Sequence, residues 1–187
     1  WNSSNIINRD EKSFAIVFKT WNDINTFQNI YEQWDENIWY AIQIENDNLY
    51  FWLWNNSWSI WEQYLYTDLW TILPNTDYFL VFTQDSRNDN KVYNKIKIYL
   101  NWELASEINN IEKQEEHAWL IWLWAIFHNS YRLYWDSPIS TSNYINYFKW
   151  WWIWEFLVWN HCLSDEEVRW LSNFLKEKWL NIDENII

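Results

Sequence analysis

The chain has 187 residues, enough for one domain with a sizeable hydrophobic core, and we expect a single domain over residues 1–187. Its net charge is −13, and an acidic chain repels phosphate backbones, which argues against nucleic acid as a partner. No apolar run reaches the roughly 18 residues of a membrane-spanning helix, so no membrane insertion is expected. The single cysteine, Cys162, excludes an internal disulfide. The first residues carry neither an initiator methionine nor a signal-peptide pattern, so we expect a domain excised from a longer protein.

Short β-prone runs alternate with polar turn clusters along the chain, which is typical of a β-sandwich. The predicted strands are, in chain order, residues 13–19, 29–33, 39–44, 49–54, 61–66, 77–83, 94–100, 103–108, 119–127 and 153–159. The run 77–83 is nearly all apolar, which predicts a central strand buried on both faces.

The run 94–100 alternates, with isoleucines and Leu100 on one face and Lys95, Lys97 and Tyr99 on the other. We expect it to form a hairpin with 103–108 around the turn Asn101-Trp102.

One helix is predicted near the C-terminus. Ser164 and Glu167 have the spacing of a capping box, in which the serine caps the helix and the glutamate reaches back. Apolar residues then recur at helical spacing, and lysines suit the C-terminal end. The pattern predicts a helix over 165–178 and, with the strands, an all-β fold with one short C-terminal helix.

The composition has one anomaly, which is 21 tryptophans and no glycine. Average usage gives glycine about 7% of positions, or roughly 13 in a chain of this length. A β protein needs positive φ angles at several turns, where glycine is the usual residue. Here tryptophan takes those places, as in Asn101-Trp102, where Asn-Gly would be the strongest short hairpin signal.

We therefore hypothesise that most of these tryptophans are glycines in the native protein. Some bacteria read the codon UGA as glycine and others read it as tryptophan, so translation with the wrong genetic code would make this exchange. The abundance of Asn, Ile, Lys and Tyr fits an AT-rich genome, in which such a codon could dominate. The alternative is a genuinely tryptophan-rich protein.

Three segments of the chain carry a family resemblance. Residues 77–86 (DYFLVFTQDS), 95–105 (KIKIYLNWELA) and 152–168 (WIWEFLVWNHCLSDEEV) resemble the central strand, the hairpin and the closing motif of laminin-G-like domains. In the closing motif, Trp159-Asn160 matches a Trp-Asn pair and residues 163–167 match Leu-Ser-Asp-Glu-Glu. The ending 174–179 (FLKEKW) resembles the family's tail. The chain thus looks like a member of the concanavalin A-like lectin/glucanase superfamily over about residues 10–180.

The resemblance implies an antiparallel two-sheet jelly-roll sandwich with a role in carbohydrate or protein recognition. Such domains often occur as modules of bacterial surface or secreted proteins, and some members of the wider family bind calcium at the rim. It also implies that Trp159 and Trp179 are true tryptophans, because the family's motifs have tryptophan at both positions. A fold alone does not fix a function.

The sequence argues against catalysis. The glucanase branch of the superfamily carries Glu-x-Asp-x-(x)-Glu on one strand, which brings the two catalytic carboxylates together, and that motif is absent here. Glu155 stands alone on its strand, and the acids at 32, 35, 36, 112, 115 and 116 have the wrong spacing or lie in a polar segment. The pair His161-Cys162 points to opposite faces of an extended chain, and His117 and His128 lack metal-ligand spacing.

Two candidate sites remain. The oxygen-rich loop between two predicted strands offers ligands for Ca²⁺, although it lacks EF-hand spacing and contains Arg87. Its candidate metal ligands are Asp85, Asn88, Asp89 and Asn90. Segment 128–149 lacks strong periodicity, and long loops often bind ligands. Its candidate glycan-binding residues are Tyr131, Tyr134, Asp136, Tyr144 and Tyr147. The simpler alternatives are a solvated turn and ordinary loop packing.

The sequence therefore predicts a non-catalytic, lectin-like or adhesion module that binds a glycan or a surface protein, extracellular or at the cell surface. The alternative is a structural element of a larger assembly, such as a phage fibre or a cell-envelope array. A glycoside hydrolase is the least favoured interpretation, because the carboxylate motif is absent.

Overall fold

The computed structural model describes residues 10–34, 38–55, 65–111, 113, 121–123, 131–134, 137–140 and 153–179. Within these ranges the chain is mostly β, with twelve strands, one short 3₁₀ helix and one α-helix. The strands are β1 (Glu11–Lys19), β2 (Gln28–Trp34), β3 (Ile38–Glu45), β4 (Asn48–Asn55), β5 (Leu65–Thr71), β6 (Asp77–Asp85), β7 (Lys95–Leu100), β8 (Glu103–Asn109), β9 (Ile121–Leu123), β10 (Tyr131–Tyr134), β11 (Ser137–Ser140) and β12 (Ile153–Trp159). The 3₁₀ helix is Lys91–Tyr93 and the α-helix, α1, is Asp165–Trp179.

The chain divides into two compact units. The first unit comprises residues Trp1–Asn22, Leu73–Ala118 and Trp151–Ile187. The second unit comprises Asp23–Ile72 and Trp119–Trp150. A single domain over 1–187 stays a prediction.

The first unit contains a five-stranded antiparallel sheet with the order β12-β1-β6-β7-β8, which we call the first sheet. Its central strands are buried on both faces, as the apolar run 77–83 predicted: every residue from 78 to 84 is buried. One face is covered by helix α1. A single apolar cluster contains Val17, Phe79 and Tyr99 from the sheet together with Val168 and Leu175 from the helix.

Helix α1 begins where the sequence predicted. The backbone N–H of Ser164 donates to Glu167 Oε2 at 2.8 Å and the backbone N–H of Glu167 donates to Ser164 Oγ at 3.3 Å, which is the reciprocal capping box. The chain before the helix is fixed to β1 by the buried Ser13. Its hydroxyl donates to the carbonyl of His161 at 2.9 Å and accepts from the N–H of Leu163 at 2.8 Å.

A second anchor holds the first turn of the helix. The Asp165 carboxylate accepts hydrogen bonds from Tyr99 Oη at 2.8 Å and Lys97 Nζ at 2.6 Å. The residues of β7 that alternate with its buried isoleucines are therefore not all exposed to solvent. Tyr99 lies on the same face as Lys97, but it is 5% exposed because the helix covers it.

Two hairpins turn through two residues with positive φ. Asn46 and Asp47 connect β3 to β4 with φ values of 50° and 64°. Asn101 and Trp102 connect β7 to β8 with φ values of 47° and 70°, and the predicted hairpin of Leu100 with Glu103 is confirmed. Both pairs have the signature of a type I′ turn, which favours Asn, Asp and Gly.

The second unit contains a five-stranded antiparallel sheet with the order β5-β4-β3-β2-β9, which we call the second sheet, and the two-stranded pair β10-β11. Residues alternate along β3, where Tyr40, Ile42 and Ile44 form an apolar face with at most 1% exposure. Ala41, Gln43 and Glu45 lie on the opposite face.

Two predicted strands differ from the observed ones. The strand predicted at 61–66 runs from Leu65 to Thr71, and residues 61–64 lie outside the described residues. The polar residues Thr67 and Asp68 pair with Phe51 and Tyr50 of β4, which extends the strand beyond its predicted end. Of the strand predicted at 119–127, only β9 falls within the described residues.

Candidate functional site

The predicted calcium loop begins at Asp85, the last residue of β6, and the carboxylate of Asp85 binds the side chain of Arg87. Both carboxylate oxygens of Asp85 accept hydrogen bonds from the Arg87 guanidinium, at 2.9 Å and 2.7 Å. Arg87 also forms an ion pair with Glu11 at 2.9 Å. The hydrogen bonds from Arg87 hold the pKa of Asp85 below its ordinary value.

The other three candidate ligands have partners of their own. Asn88 Oδ1 accepts from the backbone N–H of Asn90 at 2.9 Å, and Asn90 Oδ1 accepts from the N–H of Val92 at 3.3 Å. Asp89 Oδ1 forms an ion pair with Lys113 Nζ at 2.9 Å. The loop oxygens therefore serve to cap turns and to bind cations of the chain itself.

The buried Asn94 closes this loop from the inside. Its Oδ1 accepts from the N–H of Asn88 at 3.0 Å, and its Nδ2 donates to the carbonyls of Asn88 at 2.7 Å and Ile111 at 3.2 Å. In this structure the carboxylate of Asp85 binds Arg87 and that of Asp89 binds Lys113, so a calcium ion would compete with both side chains. Across the described part of the chain, no group of three or more His, Cys, Asp or Glu could hold a metal ion. Calcium binding at this loop stays a prediction.

The predicted glycan segment is only partly described. Tyr131 and Tyr134 are the first and last residues of β10, and they pair with Ser140 and Ser137 of β11. The expectation of an aperiodic loop is therefore wrong for these two tyrosines, which lie in a short hairpin. The other candidates of this segment, Asp136, Tyr144 and Tyr147, lie outside the described residues.

His161 and Cys162 each lie next to a different glutamate. The backbone N–H of Cys162 donates to Glu11 Oε1 at 3.2 Å, while His161 Nε2 lies 3.7 Å from Glu167 Oε1. Burial raises the pKa of the Cys162 thiol, which keeps it protonated and a poor nucleophile at neutral pH. Glu155 is half-buried on β12 opposite Val17, and it does not stand alone, because it interacts with other groups of the chain. Glu112, Glu115, Glu116, His117 and His128, together with Asp35 and Glu36, lie outside the described residues.

The sequence analysis missed a buried polar pair on the second sheet. Asn29 of β2 and Gln43 of β3 are cross-strand partners, and each is 2% exposed. The alternation of Tyr40–Glu45 places Gln43 opposite the apolar face, and this signal could have found it. A half-buried strand predicts a solvated side chain there, however, so the burial of the amide was not foreseeable.

Comparison with known proteins gives matches at the level of structure alone. No protein-family model matches the chain, and no curated protein sequence matches it. Among solved structures, it is similar to the binding domain of botulinum neurotoxin DC in complex with SialylT, with a TM-score of 0.60 and 18% identity over 93% of this chain. It is also similar to botulinum neurotoxin type C, whose passage into cells depends on interaction with two ganglioside molecules, with a TM-score of 0.57 and 18% identity over 91% of this chain.

A third similar structure is the heptameric SAP-like pentraxin of Limulus polyphemus, with a TM-score of 0.55 and 11% identity over 87% of this chain. The chain spans 70% of the pentraxin chain, but only 38% and 37% of the two toxin chains. These likenesses confirm the predicted fold class, an antiparallel jelly-roll β-sandwich with one short C-terminal helix. Among the described residues, no helix combines the length and the apolar character that crossing a membrane requires.

Proposed function

We propose that this chain is a non-catalytic, glycan-binding module of a bacterial surface or secreted protein. The observation that carries the proposal is the likeness to a toxin binding domain in complex with SialylT and to botulinum neurotoxin type C, whose cell entry depends on two ganglioside molecules. The chain spans less than two fifths of those toxin chains. The proposal therefore needs a direct test of binding.

The test is a printed array of neutral and sialylated oligosaccharides probed with the native protein, in calcium and in chelator. Binding to one sugar class supports a lectin-like module. Loss of that binding in chelator would put Asp85, Asn88, Asp89 and Asn90 forward as calcium ligands. No binding in either condition would contradict the proposal and favour protein adhesion or a structural role in a larger assembly.

The proposal also holds that the chain is not an enzyme. The glucanase carboxylate motif is absent from the sequence, and the thiol of Cys162 stays protonated at neutral pH. An assay of reducing-sugar release on β-glucans checks this. Clear turnover that is lost in Glu155→Gln would overturn it.

A further part of the proposal concerns the identity of the chain's tryptophans. Six described residues have positive φ, and five of them are the tolerated Asn or Asp, namely Asn46, Asp47, Asn75, Asn101 and Asn110. The sixth is Trp102, with φ of 70° at the second turn position of a two-residue hairpin. This conformation favours glycine and penalises a bulky side chain, which supports glycine as the native residue at position 102.

Trp159 differs from Trp102 in its surroundings. It is half-buried and packs against the apolar cluster that joins the first sheet to helix α1, so its side chain fills space there. This supports a genuine tryptophan at 159. Mass spectrometry of native peptides that span residues 101–102 and 159 tests both assignments. Tryptophan at 102, or glycine at 159, would contradict the corresponding half of the proposal.

A further inference from the structure

The turn between β6 and β7 exposes two consecutive apolar side chains. Val92 is 63% exposed and Tyr93 is 67% exposed, and both belong to the 3₁₀ helix. Single exposed apolar residues are ordinary on a protein surface, whereas contiguous apolar surface can mark a binding site. We call Asn88, Asn90, Val92 and Tyr93 the β6–β7 tip.

Hydrogen bonds hold the backbone of the β6–β7 tip in one conformation. The backbone N–H of Tyr93 donates to the Asn90 carbonyl at 3.2 Å, and that of Asn94 donates to the Lys91 carbonyl at 2.9 Å. The buried side chain of Asn94 bonds to both the N–H and the carbonyl of Asn88, at 3.0 Å and 2.7 Å. Tyr93 therefore stands on an ordered turn, and a ligand that covers its ring does not have to order the backbone beneath it.

The two asparagines of the tip use their oxygens within the turn and keep their amide nitrogens for other partners. Asn88 Oδ1 accepts from the N–H of Asn90 at 2.9 Å, and Asn90 Oδ1 accepts from the N–H of Val92 at 3.3 Å. Because a backbone N–H can only donate, each contact fixes the side-chain oxygen towards the turn and leaves Nδ2 as the outward group. Both side chains are exposed, and neither Nδ2 donates to a group in the described part of the chain. The tip thus offers two hydrogen-bond donors in set directions.

One of these donors lies on the same side of the turn as the Tyr93 ring. Asn90 is the N-cap of the 3₁₀ helix, three residues before Tyr93, and its carbonyl accepts the Tyr93 N–H. Side chains three residues apart are eclipsed in a 3₁₀ turn, which contains three residues. The tip therefore presents an aromatic face beside a fixed N–H donor, and both are open to solvent.

The charged side chains around the tip have partners within the chain. Asp85 forms an ion pair with Arg87, Asp89 forms one with Lys113, and Lys91 also interacts with another group of the chain. The chain as a whole carries a net charge of −13, which disfavours an anionic ligand. The tip therefore suits a neutral ligand whose oxygens accept from an amide and whose apolar face covers an aromatic ring.

The size of the exposed apolar surface selects among neutral ligands. A stable protein–protein interface takes about 800 Å² from each partner, with several large apolar side chains at its centre. Other elements carry the remaining exposed large apolar side chains of the described residues, Leu73, Leu104, Trp170 and Phe174. A single aromatic ring, by contrast, is matched in size by the apolar face of one sugar ring. We propose that the β6–β7 tip binds a neutral pyranose unit of the glycan, with the sugar on the Tyr93 ring and Asn90 Nδ2 donating to one of its hydroxyl oxygens.

This inference rests on the proposed function and gives it a place in the first unit, at the turn between β6 and β7. It makes glycan binding independent of calcium, because Asn88 Oδ1 and Asn90 Oδ1 already accept hydrogen bonds from the turn. A calcium ion that took these oxygens would break the turn that supports Tyr93. Equal binding in calcium and in chelator is therefore expected.

The test measures the affinity for the neutral array glycan that the native protein binds most tightly, together with urea unfolding, for three variants. Tyr93→Ala removes the ring and should lower the affinity by about tenfold or more, whereas Tyr93→Phe keeps the ring and should bind within about threefold of the native protein. Asn90→Asp keeps the oxygen that caps Val92 and removes the donor, so it should lower the affinity by about fivefold. The urea midpoint should stay the same in all three, because the side chains are exposed.

Two controls make the same kinds of change on helix α1. Phe174→Ala removes an exposed aromatic ring, and Asn173→Asp introduces a carboxylate at an exposed position, as Asn90→Asp does. Both controls should bind the glycan as the native protein does. A loss of affinity in Asn173→Asp that equals the loss in Asn90→Asp would show a general effect of charge and would overturn the assignment of the donor.

The outcomes separate this inference from the proposed function. Glycan binding that survives Tyr93→Ala overturns the tip as the binding site and leaves the proposed module intact. Loss of binding in chelator, or binding to sialylated glycans alone, also overturns it. If Tyr93→Ala lowers the urea midpoint, Asn90→Asp decides: a reduced affinity there supports the tip, and the native affinity overturns it. If the native protein binds no glycan, both proposals fail.

Discussion

The two five-stranded sheets differ in what lies on their second faces. In the first sheet, one face carries apolar residues that are buried beneath helix α1, such as Ala15, Val17 and Val81. In the second sheet, the corresponding positions of β3 are Ala41, Gln43 and Glu45. The helix-covered face of the first sheet is therefore mainly apolar, whereas the second face of β3 mixes apolar and polar residues.

The two faces use their polar groups differently. The helix-covered face of the first sheet is structural, because its apolar cluster and the hydrogen bonds of Ser13, Lys97 and Tyr99 join it to the helix and to the segment before it. On the second face of β3, Gln43 is 2% exposed and its Nε2 has no hydrogen-bond partner within the part of the chain that the structure describes. Variants that change one sheet or the other test this contrast, from the largest expected effect to the smallest.

The largest effect is expected where the helix covers the first sheet. Leu175 is 0% exposed in the cluster that joins α1 to β1 and β6. Leu175→Ala should lower the free energy of unfolding by about 2–5 kcal/mol, because it removes apolar contacts and leaves a cavity. Urea unfolding measures the change. The exposed Glu177→Ala is the control and should change stability by less than about 0.5 kcal/mol; equal effects would show that the helix does not seal this face.

A smaller effect is expected at the polar link between β1 and the helix. Ser13→Ala leaves the buried N–H of Leu163 without its acceptor and should cost about 1–3 kcal/mol in the free energy of unfolding. Its control is Ser172→Ala, whose hydroxyl donates back to the Val168 carbonyl within the helix at 2.7 Å. That carbonyl can keep its helical hydrogen bond, so the control should be nearly neutral. A neutral Ser13→Ala would contradict the role of this link.

The β7–β8 turn gives a comparison within the first unit. Trp102→Gly should raise the free energy of unfolding by about 1–2 kcal/mol, since glycine adopts a φ of 70° without steric cost. The gain is reduced by the loss of the contact with Lys176, whose Nζ lies 5.1 Å from the centre of the indole ring. Asp47→Gly, in the matching β3–β4 turn, should gain less because Asp tolerates this region. Thermal unfolding of both variants checks the order, and an equal or reversed order would weaken the case for glycine at 102.

The sequence predicted much of this architecture, for reasons visible in particular residues. The capping box at Ser164 and the all-apolar run 77–83 are local signals, and both elements formed within two residues of their predicted ends. The burial of Tyr99 was not predictable from β7, because the helix that covers it lies some 65 residues further along the chain.

The candidate site was less accessible to sequence reasoning. In the sequence, residues 85–90 offer several oxygen ligands for a metal ion. In the structure, Arg87 and Lys113 form ion pairs with the carboxylates of this loop. The reverse holds for Gln43, which looks like an ordinary surface residue of an alternating strand and is buried. Hydrogen-bond satisfaction depends on tertiary neighbours, so composition and spacing could indicate neither result.

The smallest effect concerns the pH dependence of the anchor between the first sheet and the helix. Hydrogen bonds from Lys97 and Tyr99 lower the pKa of Asp165 in the folded chain, so the anchor stabilises the fold fully above the unfolded pKa of about 3.9 and loses this contribution as the pH falls through the lower folded value. The carboxylate side chain is 64% exposed, and solvent screening limits the contribution to roughly 0.2–1 kcal/mol. Asp165→Asn should therefore be slightly less stable than the native chain at pH 7, and the difference should shrink as the pH is lowered below about 4. Urea unfolding at a series of pH values measures it, with the exposed Glu166→Gln as a control for general charge. A difference that does not change with pH would mean that Asp165 acts through packing, and the helix would then cover the first sheet without this charged anchor.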